Sequence, residues 1–186
     1  MKSIFVALRT AIVFMVICGL LYPLVTTGIA QVLFPKQAEG SLVSQNGQII
    51  GSSLLAQDVK GPGLFHPRAS AANYDPTASA ATNAAVASND YVKTTADKVN
   101  AIKQENPNIG TVIPADLVTT SGSGFDPDLS IEAAKAQVPR ISKETGIAED
   151  QLLSLITQHT KGRQLGLFGE PRVNVLELNM LLQKIK

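Results

Sequence analysis

Between Thr10 and Phe34 the chain carries no charged residue. The run is 25 residues long, and about 20 apolar residues are enough to cross the hydrocarbon core as a helix. Lys2 and Arg9 stand just before it, while Lys36, Glu39 and, further on, Lys60 follow. The positive-inside bias therefore places the N-terminus in the cytoplasm and everything after the span outside. A cleaved signal peptide is the competing reading, with Gly28-Ile29-Ala30 as a loose cleavage site. The apolar run continues through Val32-Leu33-Phe34 and exceeds a signal core of about 7–15 residues, so an anchor is expected. Tyr22-Pro23 predicts a kink, because proline removes one backbone hydrogen bond. Thr26, Thr27 and Gly28, with Gly19 upstream, are small enough for close packing against another helix.

Residues 1–35 are thus read as an anchor, and 36–186 as one soluble domain. A domain of that size can bury a core without disulfides or metal. Past Phe34 there are 14 Lys/Arg against 15 Asp/Glu. Such balance excludes nucleic-acid binding through a broad basic surface. The single cysteine, Cys18, lies within the apolar run and builds no disulfide framework.

The domain reads as α+β and helix-dominated. Asn46-Gly47 is a hairpin signal before a strand over 48–55. Residues 63–89 have no periodicity, and a loop that long in a compact domain tends to serve binding. A helix is expected over about 90–105, with Val92, Ala96, Val99 and Ile102 on its apolar face, Ser88 or Asn89 as cap, and Asn106-Pro107 as stop. A second, capped by Ser130, covers about 131–145, with Ile131, Ala134, Val138 and Ile141 inward. Pro139 predicts a kink or break within it and Gly146 its end. A third covers about 149–160, closed by Gly162. Asn174 and Glu177 stand at capping-box spacing before an amphipathic helix carrying Val175, Leu178, Leu181, Leu182 and Ile185.

Little in the sequence points to catalysis. His66 and His159 are far apart, with no companion at metal-ligand spacing. There is no nucleophile elbow and no phosphate loop of the G-x-x-x-x-G-K-[ST] type. Asp126 and Asp128 flank Pro127 and have the composition of an acid–base pair, but a turn before a helix explains them without catalysis and is the preferred reading. Ser121-Gly122-Ser123-Gly124 is either a connecting turn or a backbone that approaches a partner closely. Gly162 to Val175 combines three glycines, a proline and two arginines ahead of a capped helix.

Four separated blocks, in order along the chain, resemble the KdpC family, the C subunits of bacterial potassium-transporting P-type ATPases. They are Tyr22-Pro23-Leu24-Val25-Thr26-Thr27-Gly28-Ile29-Ala30-Gln31; Gly51-Ser52 with Leu64-Phe65-His66-Pro67-Arg68-Ala69-Ser70-Ala71; Asp116-Leu117-Val118-Thr119-Thr120-Ser121-Gly122-Ser123-Gly124-Phe125-Asp126-Pro127; and Gly162-Arg163 through Asn179. Ala69 departs from the family's usual proline, and Ala80-Ala81-Thr82-Asn83 from its Gly-Gly-Ser-Asn run. The resemblance implies a non-catalytic, single-pass subunit of the cytoplasmic (inner) membrane. It would sit among membrane lipid beside a potassium-channel-like subunit and a P-type pump subunit. The pump would hydrolyse ATP to drive potassium uptake, and the C subunit would stabilise assembly and raise the pump's ATP affinity in a chaperone-like way. It binds no cofactor of its own on this reading; ATP enters in the context of the pump subunit, with Gln137 one polar candidate for nucleotide contact. Gly28, Arg68, Ser121, Gly122, Ser123, Gly124, Gly169, Pro171 and Arg172 are the candidate partner contacts. The alternatives from other classes are an anchored extracytoplasmic hydrolase using a serine of 121–123, and an anchored binding module for a small solute.

Overall fold

The structure, a computed structural model, describes residues 2–185. It divides into two compact units at Ser52/Ser53.

In the first unit, helix α1 (Lys2–Val16) runs through one π-helical segment (Ile17–Leu21) into α2 (Tyr22–Leu33). The 32 residues together are long and apolar enough to cross a membrane, and none of the most apolar stretch is buried in protein. At about 1.5 Å per residue the rod measures roughly 48 Å, more than the ~30 Å hydrocarbon core requires. Pro23 lies in the first turn of α2, immediately after the π segment. There the Tyr22 amide reaches back five residues to the Ile17 carbonyl. The disruption expected at Tyr22-Pro23 is thus a widened turn. The Thr26 hydroxyl donates to the Tyr22 and Pro23 carbonyls at 2.8 and 3.1 Å, which satisfies it without leaving the helix. A short turn, α3 (Pro35–Ala38), leads into an antiparallel hairpin of β1 (Leu42–Gln45) and β2 (Gln48–Ser52). Asn46 and Gly47 take φ of 52° and 79°, the two positive values that a tight two-residue hairpin demands. The strand ends at Ser52, three residues short of expectation, and a bulge lies between Val43 and Ser44.

In the second unit, α6 (Ile131–Thr145), α7 (Glu149–Gln158) and α8 (Val175–Ile185) pack with a two-stranded antiparallel ladder of β3 (Asp128–Ser130) and β4 (Arg172–Asn174). Outside this group are α4 (Asn89–Glu105) and α5 (Ala115–Val118). The core comprises Leu129, Ala133, Ala134, Val138, Ile141, Leu152, Ile156, Val173, Leu178 and Leu182, joined by Phe65 from the long loop. Burying one such large side chain contributes about 1.5–3 kcal/mol.

The capping residues act as their chemistry predicts. Ser88 and Ser130 accept from the Tyr91 and Ala133 amides. Gly146 ends α6 in the left-handed conformation, at φ 75°. Asn174 Oδ1 accepts from the Glu177 amide at 3.1 Å, but the Glu177 carboxylate binds Lys161 instead of returning to the cap.

One expectation is narrowed and two need correction. Helix α6 continues through Pro139 to Thr145, so the proline does not break it. Helix α7 ends at Gln158 with His159 as its cap residue; Gly162 does not close it. Helix α4 has no buried residue. Its half-buried positions are Tyr91, Thr95, Lys98, Val99 and Ile102, while Val92 and Ala96 are exposed, so the inner face is rotated from the predicted one.

Candidate functional site

The distinctive feature of the second unit is how a long irregular loop is held. Residues 53–88 contain no helix or strand. A chain without a ladder must still satisfy its buried backbone amides, and here amide side chains do so. Asn179 on α8 accepts from the Phe65 N–H at 2.8 Å and donates to the Phe65 carbonyl at 2.9 Å. Gln137 on α6 does the same to the next residue, accepting from the His66 N–H at 2.8 Å and donating to its carbonyl at 3.1 Å. Each side chain imitates a paired strand, and the two clamp consecutive peptides.

Arg140, one turn after Gln137, extends the clamp. It is 7% exposed. Its guanidinium donates to the Pro62 carbonyl, to the Leu64 carbonyl at 3.0 Å, to Gln137 Oε1 at 2.7 Å and to Asn106 Oδ1 at 2.9 Å. Glu105 lies 3.4 Å away and gives it a partial counter-charge. Burial lowers the Arg140 pKa from its ordinary value, and Glu105 opposes that shift. His66 completes the arrangement. Its Nδ1 is 2.7 Å from Glu105 and its Nε2 2.8 Å from the Gly61 carbonyl, so both nitrogens face acceptors. Its hydrogen bond holds the Glu105 carboxyl below the usual glutamate range, against the opposing effect of burial. A cleft of about 420 Å³ opens beside this cluster, lined by Glu105, Arg140, Lys143 and Glu144 among others.

Gln137 was the nucleotide candidate. It is 2% exposed, and both ends of its amide are bonded to protein. An external ligand would have to break the clamp to reach it, and the glutamine is buried rather than solvated.

The structure brings Arg68 and the Ser121–Gly124 loop together. Arg68 pairs with Asp126 at 3.0 Å and donates to the Thr119 hydroxyl and the Thr120 carbonyl. The Tyr74 hydroxyl donates to the Arg68 carbonyl at 2.8 Å, and burial raises its pKa. The Ser121 amide donates to the Ala69 carbonyl at 2.8 Å. The Ser121 hydroxyl, 1% exposed, accepts from the Gly124 and Asp126 amides and contacts Ser123 Oγ at 3.2 Å. These contacts fold the loop rather than activate a nucleophile. Gly124, at φ +85°, packs so closely that a Cβ there would lie 2.8 Å from Ala72 Cβ and 3.0 Å from the Ala80 carbonyl. Its freedom is required twice, by conformation and by space.

The two carboxylates around Pro127 act as staples. Asp126 holds Arg68, and Asp128 holds Arg172 at 2.8 Å. Asp128 Oδ1 also lies 3.4 Å from Asn174 Nδ2, whose shorter bond runs to the Ser53 carbonyl at 2.8 Å. Arg68 and Arg172 therefore stand on either side of one short turn. Gly169 and Pro171 lie in a finger over residues 161–172, closed at its base by paired Lys161 and Arg172 backbones. Gly28 belongs to the apolar helix of the first unit and is exposed there.

Three residues of the clamp, Asn179, Arg140 and Glu105, were not singled out in the sequence. A signal existed for Asn179: it follows Val175 by four positions on an otherwise apolar face, as Gln137 does among Ala133, Ala134, Val138 and Ile141. A polar amide inside an apolar stripe is worth asking about, since it must find partners once buried.

Comparison with known proteins matches residues 4–184 to the family described as "KdpC: K+-transporting ATPase, c chain". Among similar sequences, a Geobacter sulfurreducens protein is 45% identical, the alignment covering 100% of this chain and 99% of the relative. One from Bacillus cereus is 47% identical over 96% and 93%, and one from Rhodopseudomonas palustris 48% identical over 98% and 96%. All three carry the name "Potassium-transporting ATPase KdpC subunit".

Proposed function

This chain belongs to the KdpC family of K+-transporting ATPase subunits, and we propose that it serves there as a non-catalytic scaffold joining a channel-like and a pump subunit. The observation that carries the reading is the match along essentially the whole chain to proteins named as subunits of one ATPase. The geometry supports it. Gln137, Asn179, Arg140, Ser121, Asp126 and Asp128, the polar groups that sequence or structure brings forward, are engaged in fixing the shape of an irregular loop surface. A fixed surface of this kind suits recognition, because little conformational entropy is lost when it binds.

On this proposal the apolar helix lies in the cytoplasmic membrane with Lys2 and Arg9 inside, and residues 53–185 lie outside. ATP hydrolysis then belongs to the pump subunit. The chain raises that subunit's ATP affinity indirectly, by holding the membrane subunits in a competent arrangement. The test is to produce the ATPase with and without this chain, measuring recovery of the intact complex, its ATP hydrolysis and potassium-limited growth. Loss of all three without the chain is expected. An isolated chain that hydrolyses ATP, or a complex that assembles and works without it, overturns the reading.

A further inference from the structure

The finger over residues 161–172 is unlike the rest of the surface. Its tip carries Leu165, Leu167 and Phe168, which are 90%, 70% and 59% exposed. Three adjacent large apolar side chains held in water by a soluble domain mark a contact site.

The finger is also built to keep its shape. The Gln164 amide donates to the Phe168 carbonyl at 2.8 Å and the Phe168 amide to the Gln164 carbonyl at 2.9 Å, so only Leu165-Gly166-Leu167 turn. Below them Arg163 holds Glu170 through both carboxylate oxygens, at 2.9 and 2.7 Å. At the base Lys161 and Arg172 exchange backbone bonds of 2.8 and 3.0 Å. Leu165 takes φ 55°, a conformation that costs a non-glycine residue energy and persists where the surroundings impose it.

These features choose between occupants. A bilayer accepts apolar side chains in many conformations and does not call for a strained, cross-braced tip. Anionic lipid would be drawn by unpaired cations, yet Lys161, Arg163 and Arg172 already hold Glu177, Glu170 and Asp128. A concave apolar pocket on a protein does call for one shape, and a preorganised apolar anchor is how such pockets are filled. We propose that Leu165, Leu167 and Phe168 form a rigid plug that seats in an apolar pocket of another protein subunit of the same ATPase. The proposal rests on the subunit reading above.

The experiment uses the full-length chain, tagged and produced together with the other subunits. A photoreactive benzoylphenylalanine replaces Phe168, and membranes are irradiated before solubilisation. The expected product is a covalent adduct with one partner polypeptide. Phe168→Asp is expected to lower recovery of the co-purifying subunits at least tenfold, while Val112→Asp, at a position 82% exposed elsewhere in the same unit, changes it less than twofold. Circular dichroism of both variants should match the parent. An adduct with lipid alone, no adduct, or undiminished recovery with Phe168→Asp overturns the plug. If the unsubstituted chain brings down no ATPase subunit, the subunit reading fails and the plug with it; if it does but position 168 captures none, the plug alone fails.

Discussion

Replacing Arg140 with methionine tests whether a buried guanidinium holds the long loop in place. The substitution keeps an unbranched apolar stem and deletes the head group. Four acceptors lose a charged donor: the Pro62 and Leu64 carbonyls, Gln137 Oε1 and Asn106 Oδ1. Hydrogen bonds to charged groups contribute about 1.5–3 kcal/mol each when removed singly. They do not add, because one side chain makes them all and its own desolvation opposes them. Breaking a buried charged cluster from one side costs roughly 3–5 kcal/mol. The Gln137 oxygen retains the His66 amide and Glu105 retains the His66 ring, so the lower end, about 3 kcal/mol, is expected. For a unit of this size that corresponds to a fall in Tm of roughly 10 °C. The assay is thermal unfolding of residues 53–186, followed by hydrogen exchange at 25 °C. Amides of Phe65 and His66 should lose protection while those of α7 keep theirs. A Tm shift below 3 °C, or unchanged exchange at those two amides, would show that Gln137 and Asn179 suffice and that the guanidinium is incidental.

Gly124→Ala should destabilise the same unit by about 2 kcal/mol, since it meets both a left-handed φ and a 2.8 Å contact; a chemical denaturation midpoint within error of the parent refutes the required close approach. Asn174→Ala should cost about 1 kcal/mol through the lost cap, measured as a shift in Tm. Because the Glu105 pKa is depressed by His66, its contribution is present above the ordinary glutamate value of 4.5 and is lost as pH falls through the lower folded value. Glu105 is two-fifths exposed, so the effect is modest, and the stability gap between parent and Glu105→Gln should close on acidification from pH 6 to pH 3; a gap that persists at pH 3 refutes the ion pair. Gly28→Leu should reduce recovery of the assembled complex if close helix packing uses that face, and quantification of co-purified subunits at matched expression measures it.

How much of this could be read from sequence depends on the range of the interaction. Local chemistry was legible. Asn46-Gly47 set the hairpin, Ser130 and Gly146 bounded α6, and the uncharged run after Arg9 gave the apolar helix. Each depends on residues within a few positions of one another. Pro139 does not break α6, because packing of Val138 and Ile141 into the core outweighs one missing helical bond. The face of α4 misled because its periodicity is shared between apolar and polar residues, and it buries none of them. The loop clamp was out of reach in detail, since Gln137–His66 and Asn179–Phe65 are 71 and 114 residues apart in sequence. What sequence did offer was its preconditions: a long aperiodic stretch with no ladder, and two amides set into apolar stripes. The candidate contacts Arg68 and Ser121–Gly124 were named from different blocks, and only the fold makes them neighbours.

The widened turn at Ile17–Leu21 changes the geometry of everything beyond it. Thr10 and Gly28 are 18 residues apart, and at 3.6 residues per turn a continuous helical wheel would set them on one azimuth after about five turns. A π turn absorbs roughly one additional residue and so offsets the later half by about 100°. The N-terminal and C-terminal halves of the rod then address different directions around the helix axis. A single helix can in this way meet one neighbour along its first half and another along its second, and cross-linking maps of the two halves should be phased separately.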